Sequence, residues 1–134
     1  MDTCLKWSPD TGTWEEYLTL DIGREKHISW TPDTVVGTYL IGGVGSGSTN
    51  TSTLITPSGT QETGFELENY LSQQCAIPDT DSVVITGGGN ERQTVSRYNV
   101  LGWQEDLPPL NQGRYDHACA AYISDGRRVR NYEI

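Results

Sequence analysis

The stretches Thr38-Tyr39-Leu40-Ile41-Gly42-Gly43 and Val83-Val84-Ile85-Thr86-Gly87-Gly88 decide the fold. Each is a short run of β-branched, aromatic and aliphatic residues that stops at two glycines, and the two runs lie 45 residues apart. Such side chains fit a pleated surface, and glycine at the end of the run marks a turn or a close backbone approach. Working outward, turn signals bracket the runs: Thr31-Pro32-Asp33-Thr34, Pro57-Ser58-Gly59, Pro78-Asp79-Thr80-Asp81 and Ser124-Asp125-Gly126. No window holds apolar residues at i, i+3, i+4 and i+7 over three turns without an interrupting Gly or Pro. Thr and Ser number 26, beside 7 Tyr and 4 Trp, whereas Met occurs once. Short strands at this spacing predict an all-β chain.

The 134 residues suit one small domain, and apolar residues at 34% with 15 Gly supply a core. With 18 acidic against 9 basic side chains the net charge is -9, a field that repels phosphate backbones and anionic lipid. Nucleic acid is therefore not an expected partner. No apolar stretch approaches the roughly 18 to 20 residues that span a bilayer, so no membrane role is expected either. The start, Met1-Asp2-Thr3-Cys4-Leu5-Lys6, lacks the basic and then apolar regions of a signal peptide. That fits a cytosolic protein, or a mature or partial piece of a longer one, and leaves the compartment open.

Self-similarity extends beyond the glycines. Gly23-Arg24-Glu25-Lys26-His27 matches Gly113-Arg114-Tyr115-Asp116-His117 at an offset of 90, twice 45. Each block follows an aromatic anchor, Trp14-Glu15-Glu16-Tyr17-Leu18 or Trp103-Gln104-Glu105-Asp106-Leu107. The middle copy diverges: Phe65-Glu66-Leu67 stands in for the Trp segment, and Cys75-Ala76-Ile77 falls where Cys119-Ala120-Ala121 sits later. A period of about 40 to 50 residues in an all-β chain points to propeller blades, each a four-stranded sheet.

With these residues in place, the sequence resembles the kelch-repeat family. The resemblance rests on Gly42-Gly43 and Gly87-Gly88, on the downstream aromatic pairs Trp7/Trp14 and Tyr98/Trp103, and on Arg24/His27 and Arg114/His117 opening the next repeat. Ile55 takes the Tyr98 position in the first repeat, where no Trp follows. The fold this implies is an incomplete kelch-type β-propeller of about two full four-stranded blades plus partial blades at both ends. Its units are 1–14, the end of a blade; 15–60 and 61–103, two repeats; and 104–134, the start of a truncated repeat. A closed kelch ring normally has more blades, so the expectations are a piece of a longer propeller, closure by several copies, or a truncated product.

The repeat residues read as structural. The glycine pairs supply positive φ or close approach; Trp14, Trp103 and Tyr98 are expected to fill the wedge between blades; by analogy with kelch proteins, Arg24 and Arg114 brace neighbouring loops. His27 and His117 occupy equivalent positions and lack the partners of a general base or a metal site. Cys75 and Cys119 are read as buried thiols in preference to a disulfide, which needs Cα atoms within about 7 Å. The segment Gly42-Gly43-Val44-Gly45-Ser46-Gly47-Ser48 lacks the Lys-Ser/Thr pair of a phosphate loop. Asn50-Thr51-Ser52 is a glycosylation sequon, relevant if the protein is secreted. Asp10, Asp33, Asp79 and Asp81 lack the glycine and final Glu of a calcium loop and read as turn chemistry. The Arg127-Arg128-Val129-Arg130 cluster reads as a solvated face.

No catalytic, cofactor or metal site is assigned. The resemblance implies a non-catalytic scaffold presenting the loops around 44–51, 89–94 and 109–116 to a protein or peptide partner, with self-association through exposed blade faces as a further expectation. The alternative is a piece of a copper oxidase propeller resembling galactose oxidase, for which Tyr98, Tyr115, Tyr122 and Cys119 are raw material without identifying spacing. A truncated piece with no independent function is the third reading.

Overall fold

A computed structural model describes residues 2–45, 50–68, 72–89, 93–124 and 127–129, with the backbone alone for 122–124 and 127–129. Those residues form β-strands and turns, with no helix. The strands are β1 (Thr3–Ser8), β2 (Thr13–Thr19), β3 (Ile28–Trp30), β4 (Thr38–Ile41), β5 (Thr51–Ile55), β6 (Gln61–Glu66), β7 (Cys75–Pro78), β8 (Ser82–Thr86), β9 (Val95–Asn99), β10 (Gln104–Asp106), β11 (Tyr122–Ser124) and β12 (Arg127–Val129). All pairs are antiparallel. Two four-stranded sheets, β3-β4-β5-β6 and β7-β8-β9-β10, stand between two-stranded sheets β1-β2 and β11-β12. The predicted all-β class is therefore observed. The double-glycine runs are β4 and β8, the second strand of each four-stranded sheet.

The unit boundaries drawn from sequence run one strand ahead of the sheets. β2, β6 and β10, the last strands of their sheets, begin the units that start near 15, 61 and 104.

Alternation along β8 explains its burial. All five of its residues are buried, because both faces of its sheet are covered. Val83 and Ile85 point one way, into a core with Tyr39, Ile41 and Leu54 of the preceding sheet and Tyr98 of their own. Val84 points the other way, toward Ile77, Val95 and Leu110. Fully burying each such aliphatic side chain stabilises by roughly 1.5–3 kcal/mol. An aromatic row crosses the first core: Trp30 on Tyr39 at 5.6 Å, Tyr39 on Phe65 at 5.3 Å, and Phe65 on Tyr98 at 5.8 Å.

Ladder register relates one sheet to the next. Val83 pairs with Tyr98 and Tyr98 with Gln104; Thr38 pairs with Ile55 and Ile55 with Gln61. Ile55 thus holds the Tyr98 position, as the sequence comparison expects. Trp7 pairs with Trp14 in the same way. Gln61, not Phe65, therefore corresponds to Trp14, and Phe65 lies two residues before Leu67 just as Leu18 lies two before Leu20. The expected substitution of Phe65 for the Trp segment is corrected accordingly.

Candidate functional site: the double-glycine end of the sheets

Antiparallel pairing places many connections at one end. Ile28 lies opposite Ile41, and Ile41 opposite Ser52; in the next sheet Cys75 lies opposite Thr86, and Thr86 opposite Val95. The segments entering β3 and β7, the β4–β5 and β8–β9 connections, and the chain leaving β6 and β10 therefore share that end. The three loops singled out from sequence lie there together; their residues 46–49 and 90–92 fall outside the described residues.

Each glycine of a pair admits a different backbone. A Cβ on Gly43 would lie 2.7 Å from the Glu25 carbonyl oxygen and 2.9 Å from His27 Cβ, and one on Gly88 would lie 2.8 Å from the Ser72 carbonyl oxygen. The second glycine thus receives the segment leading into its own sheet. A Cβ on Gly87 would lie 2.5 Å from the Arg114 carbonyl oxygen, which belongs to the following unit. Gly87 thus receives the neighbouring unit. All four have positive φ, +64° for Gly42 and Gly87, +97° for Gly43 and +105° for Gly88, so at Gly43, Gly87 and Gly88 glycine is required twice over. The Gly88 N–H donates to the Arg114 carbonyl at 2.9 Å, tying one unit to the next.

A second linkage was not visible in the sequence. Among the described residues, Lys26, Gln73 and Asp116 are the non-glycine residues with positive φ, at 55°, 59° and 49°. The Gln73 N–H donates to the Lys26 carbonyl at 3.3 Å, and the Asp116 N–H to the Gln73 carbonyl at 2.9 Å. The Gln73 side chain also donates to the Asp116 carboxylate at 2.8 Å. One residue per unit, in the same strained conformation, is thus joined to its counterpart in the next. Leu20, Leu67 and Leu110 form a parallel series: each is buried, and each donates its N–H across its sheet, to Asp2, Asn50 and Gln93 respectively. Both series are spaced 47 and then 43 residues, so a fixed 45-residue period passes over them.

Arg24 is 2% exposed, and its guanidinium donates to the Gly42 carbonyl at 2.8 Å, the Thr51 carbonyl at 2.9 Å, and the Thr51 and Thr53 hydroxyls at 2.9 and 3.0 Å. It braces the β4–β5 end of the sheet it leads into. Arg114 makes its contact to the neighbouring unit through its backbone carbonyl.

The histidines stay apart. His27 packs on Gly43 of one sheet, whereas His117 packs on Gly87 of the next and its Nε2 lies 2.9 Å from the Thr86 hydroxyl. Burial and then the adjacent guanidinium, Arg24 or Arg114, hold each imidazole below its ordinary range. In the middle unit the same position is Gln74, a buried side chain. Among the described residues no group of three or more His, Cys, Asp or Glu is arranged to hold a metal ion.

Two expectations are overturned. Cys75 and Cys119 are joined in a disulfide with Cα atoms 5.9 Å apart. Packing of the third unit on the β7–β10 sheet brings the thiols within bonding reach, which spacing alone could not establish. Cys4 is a free cysteine whose thiol is pushed up by burial. Of the three aromatics expected in the wedge, Tyr98 is 1% exposed, but Trp14 and Trp103 are 66% and 47% exposed. Trp14 packs against Trp7, itself 46% exposed, at 5.6 Å on the two-stranded β1-β2 sheet, and no described sheet covers that pair. Trp103 follows a turn at the opposite end, at the start of β10.

Near the double-glycine end, an open polar cleft of about 540 Å³ is lined by Asp2, Leu20, Asp21, Gly23, Glu25, Val44 and Gly45. Three acidic residues, Asp2, Asp21 and Glu25, are among its lining.

The fold is also that of YjhT. Its solved structure matches over 92% of this chain with a TM-score of 0.73 and 14% sequence identity. The chain spans 48% of the YjhT chain, about half its length. No protein-family model matches the sequence, and no curated protein matches it. At that identity the likeness speaks for fold alone.

Proposed function

We propose that the chain is a stretch of a kelch-type β-propeller, with β3–β6 and β7–β10 as two full blades flanked by partial ones, acting as a non-catalytic scaffold for a protein or peptide partner. The observation that carries this reading is the gathering of the inter-strand and inter-unit loops at one end, above sheets fixed by paired cores and repeated backbone links. Rigid sheets with variable loops at one end suit recognition. The net charge of -9 and the carboxylates of Asp2, Asp21 and Glu25 favour a basic segment as the bound part.

The copper-oxidase alternative needs a free cysteine for its Tyr–Cys crosslink, and the Cys119 sulfur is already bonded to Cys75. Tyr98, pushed up to about 12 chiefly by burial, keeps its phenol proton in the core.

Peptides selected from a random display library test the reading when mapped on the chain by amide exchange. Basic peptides whose footprint covers Glu25, Lys26 and Asp116, and whose binding weakens at least tenfold in Asp21→Asn/Glu25→Gln, are the expected result. A footprint at the opposite end, around Thr31–Pro32 and Asp79–Thr80, would overturn it.

A further inference from the structure

We propose that Asn50 carries an N-linked oligosaccharide, attached in a secretory compartment before the β5–β6 pair closes. Two independent observations meet here. One is the Cys75–Cys119 bond, which ties the β7–β10 sheet to the unit that follows. Disulfides of this kind persist in oxidising compartments and are rare where thiols are kept reduced. The other is the tripeptide Asn50-Thr51-Ser52, an acceptor sequence of the same compartments.

The local structure adds detail that the tripeptide alone lacks. Asn50 sits in the turn that enters β5, at the double-glycine end, and is partly exposed. Its carbonyl accepts the Leu67 N–H at 2.8 Å, while its side-chain amide has no hydrogen-bond partner among the described residues. The third position behaves in the opposite way. Ser52 is 2% exposed, and its hydroxyl donates to the Phe65 carbonyl at 2.7 Å across the β5–β6 pair. The ladder is irregular there, between Thr51 and Thr53, and Gly64 faces Ser52 so closely that a Cβ would lie 2.2 Å from its Oγ. A transferase reading the Ser52 hydroxyl finds it free in the extended, unfolded chain and locked once β6 has paired.

In the reaction the Asn50 side-chain nitrogen bonds to C1 of the terminal sugar of a lipid-linked oligosaccharide donor. The C1–oxygen bond to the lipid diphosphate breaks, the diphosphate leaves with the electron pair, and the amide gives up one proton. No oxidant or reductant is consumed. The glycan then stands at the same end as the loops proposed for partner binding, at the entry to the third strand of its sheet, and narrows the partner's approach to the segments nearer β3 and β7.

The protein isolated from its own cells decides the matter directly. Its Asn50 peptide, released with peptide-N-glycosidase in heavy-oxygen water, is expected to contain aspartate with the heavy label at position 50. Recovery of the peptide with unmodified Asn50 would overturn the proposal. Timing is read by translating the 134-residue chain behind a cleavable secretion signal in the presence of microsomes. The natural sequence is expected to gain one glycosidase-sensitive step that Asn50→Gln and Ser52→Ala lack, whereas purified, already folded chain offered to the same transferase stays unmodified. Equal modification of the folded chain, or no step despite signal cleavage, would contradict it.

Discussion

Gly43 and Gly88, like Gly37 and Gly87, combine positive φ with a backbone carbonyl within 3 Å of where a Cβ would stand. An L-residue in a left-handed conformation costs about 1–2 kcal/mol, and displacing a packed backbone adds to that. Gly43→Ala and Gly88→Ala are therefore expected to destabilise by at least about 2 kcal/mol in urea denaturation. Gly12→Ala is the control: its φ is +65°, but nothing lies within 4 Å, so about 1 kcal/mol is expected. His117 gives a second residue-scale prediction. The folded chain holds its imidazole below the unfolded value of about 6.5, so between the two values the unfolded state binds more protons. Its contribution is fully present above about pH 6.5 and is lost as pH falls through the lower folded value. His117→Gln, which installs the side chain found at Gln74, is expected to flatten this part of the curve of melting temperature against pH. An unchanged curve would remove His117 from the account.

Among the elements, the link from the β7–β10 sheet to the following unit is covalent as well as packed. The Cys75–Cys119 bond closes a loop at a sequence separation of 44, for which chain entropy gives roughly 2–4 kcal/mol. Cys75→Ser/Cys119→Ser is expected to lower unfolding free energy by about that amount without changing far-UV circular dichroism. Tyr98 and Trp14 offer a contrast between two of the repeat aromatics. Tyr98→Ala empties a site between two sheets and is expected to cost about 3–5 kcal/mol, whereas exposed Trp14→Ala should stay within about 1 kcal/mol. The sequence could not distinguish them. Both aromatics stand in phase with a glycine pair, but burial depends on whether a second sheet covers the face, and a sequence pattern does not carry that information. Arg24 was likewise legible as a repeat residue and a brace for loops, but not which loop it holds, because its four acceptors lie 18 to 29 residues away.

The whole molecule repeats by linkage more faithfully than by text. Strand class, turn positions and the glycine pairs were readable because they are local and keep constant spacing. The Lys26–Gln73–Asp116 and Leu20–Leu67–Leu110 series were not, since their residue types differ or their spacing shifts from 47 to 43 as connections change length. Backbone conformation, not side-chain identity, is what recurs at the first of these, and propensity does not announce a left-handed lysine or glutamine. The disulfide was missed for a related reason: which cysteines meet is set by how one unit docks on the next.

Native-state amide exchange at the inter-unit donors is the measurement that tests this repeated linkage most directly. The amides of Gly88, Asp116 and Asp33, bonded to Arg114, Gln73 and Thr80 respectively, are expected to be protected to nearly the same degree as the central β8 amides. Exchange of all three at unfolded-chain rates, with β4 and β8 still protected, would mean that the sheets form without the unit-to-unit links, contradicting the account.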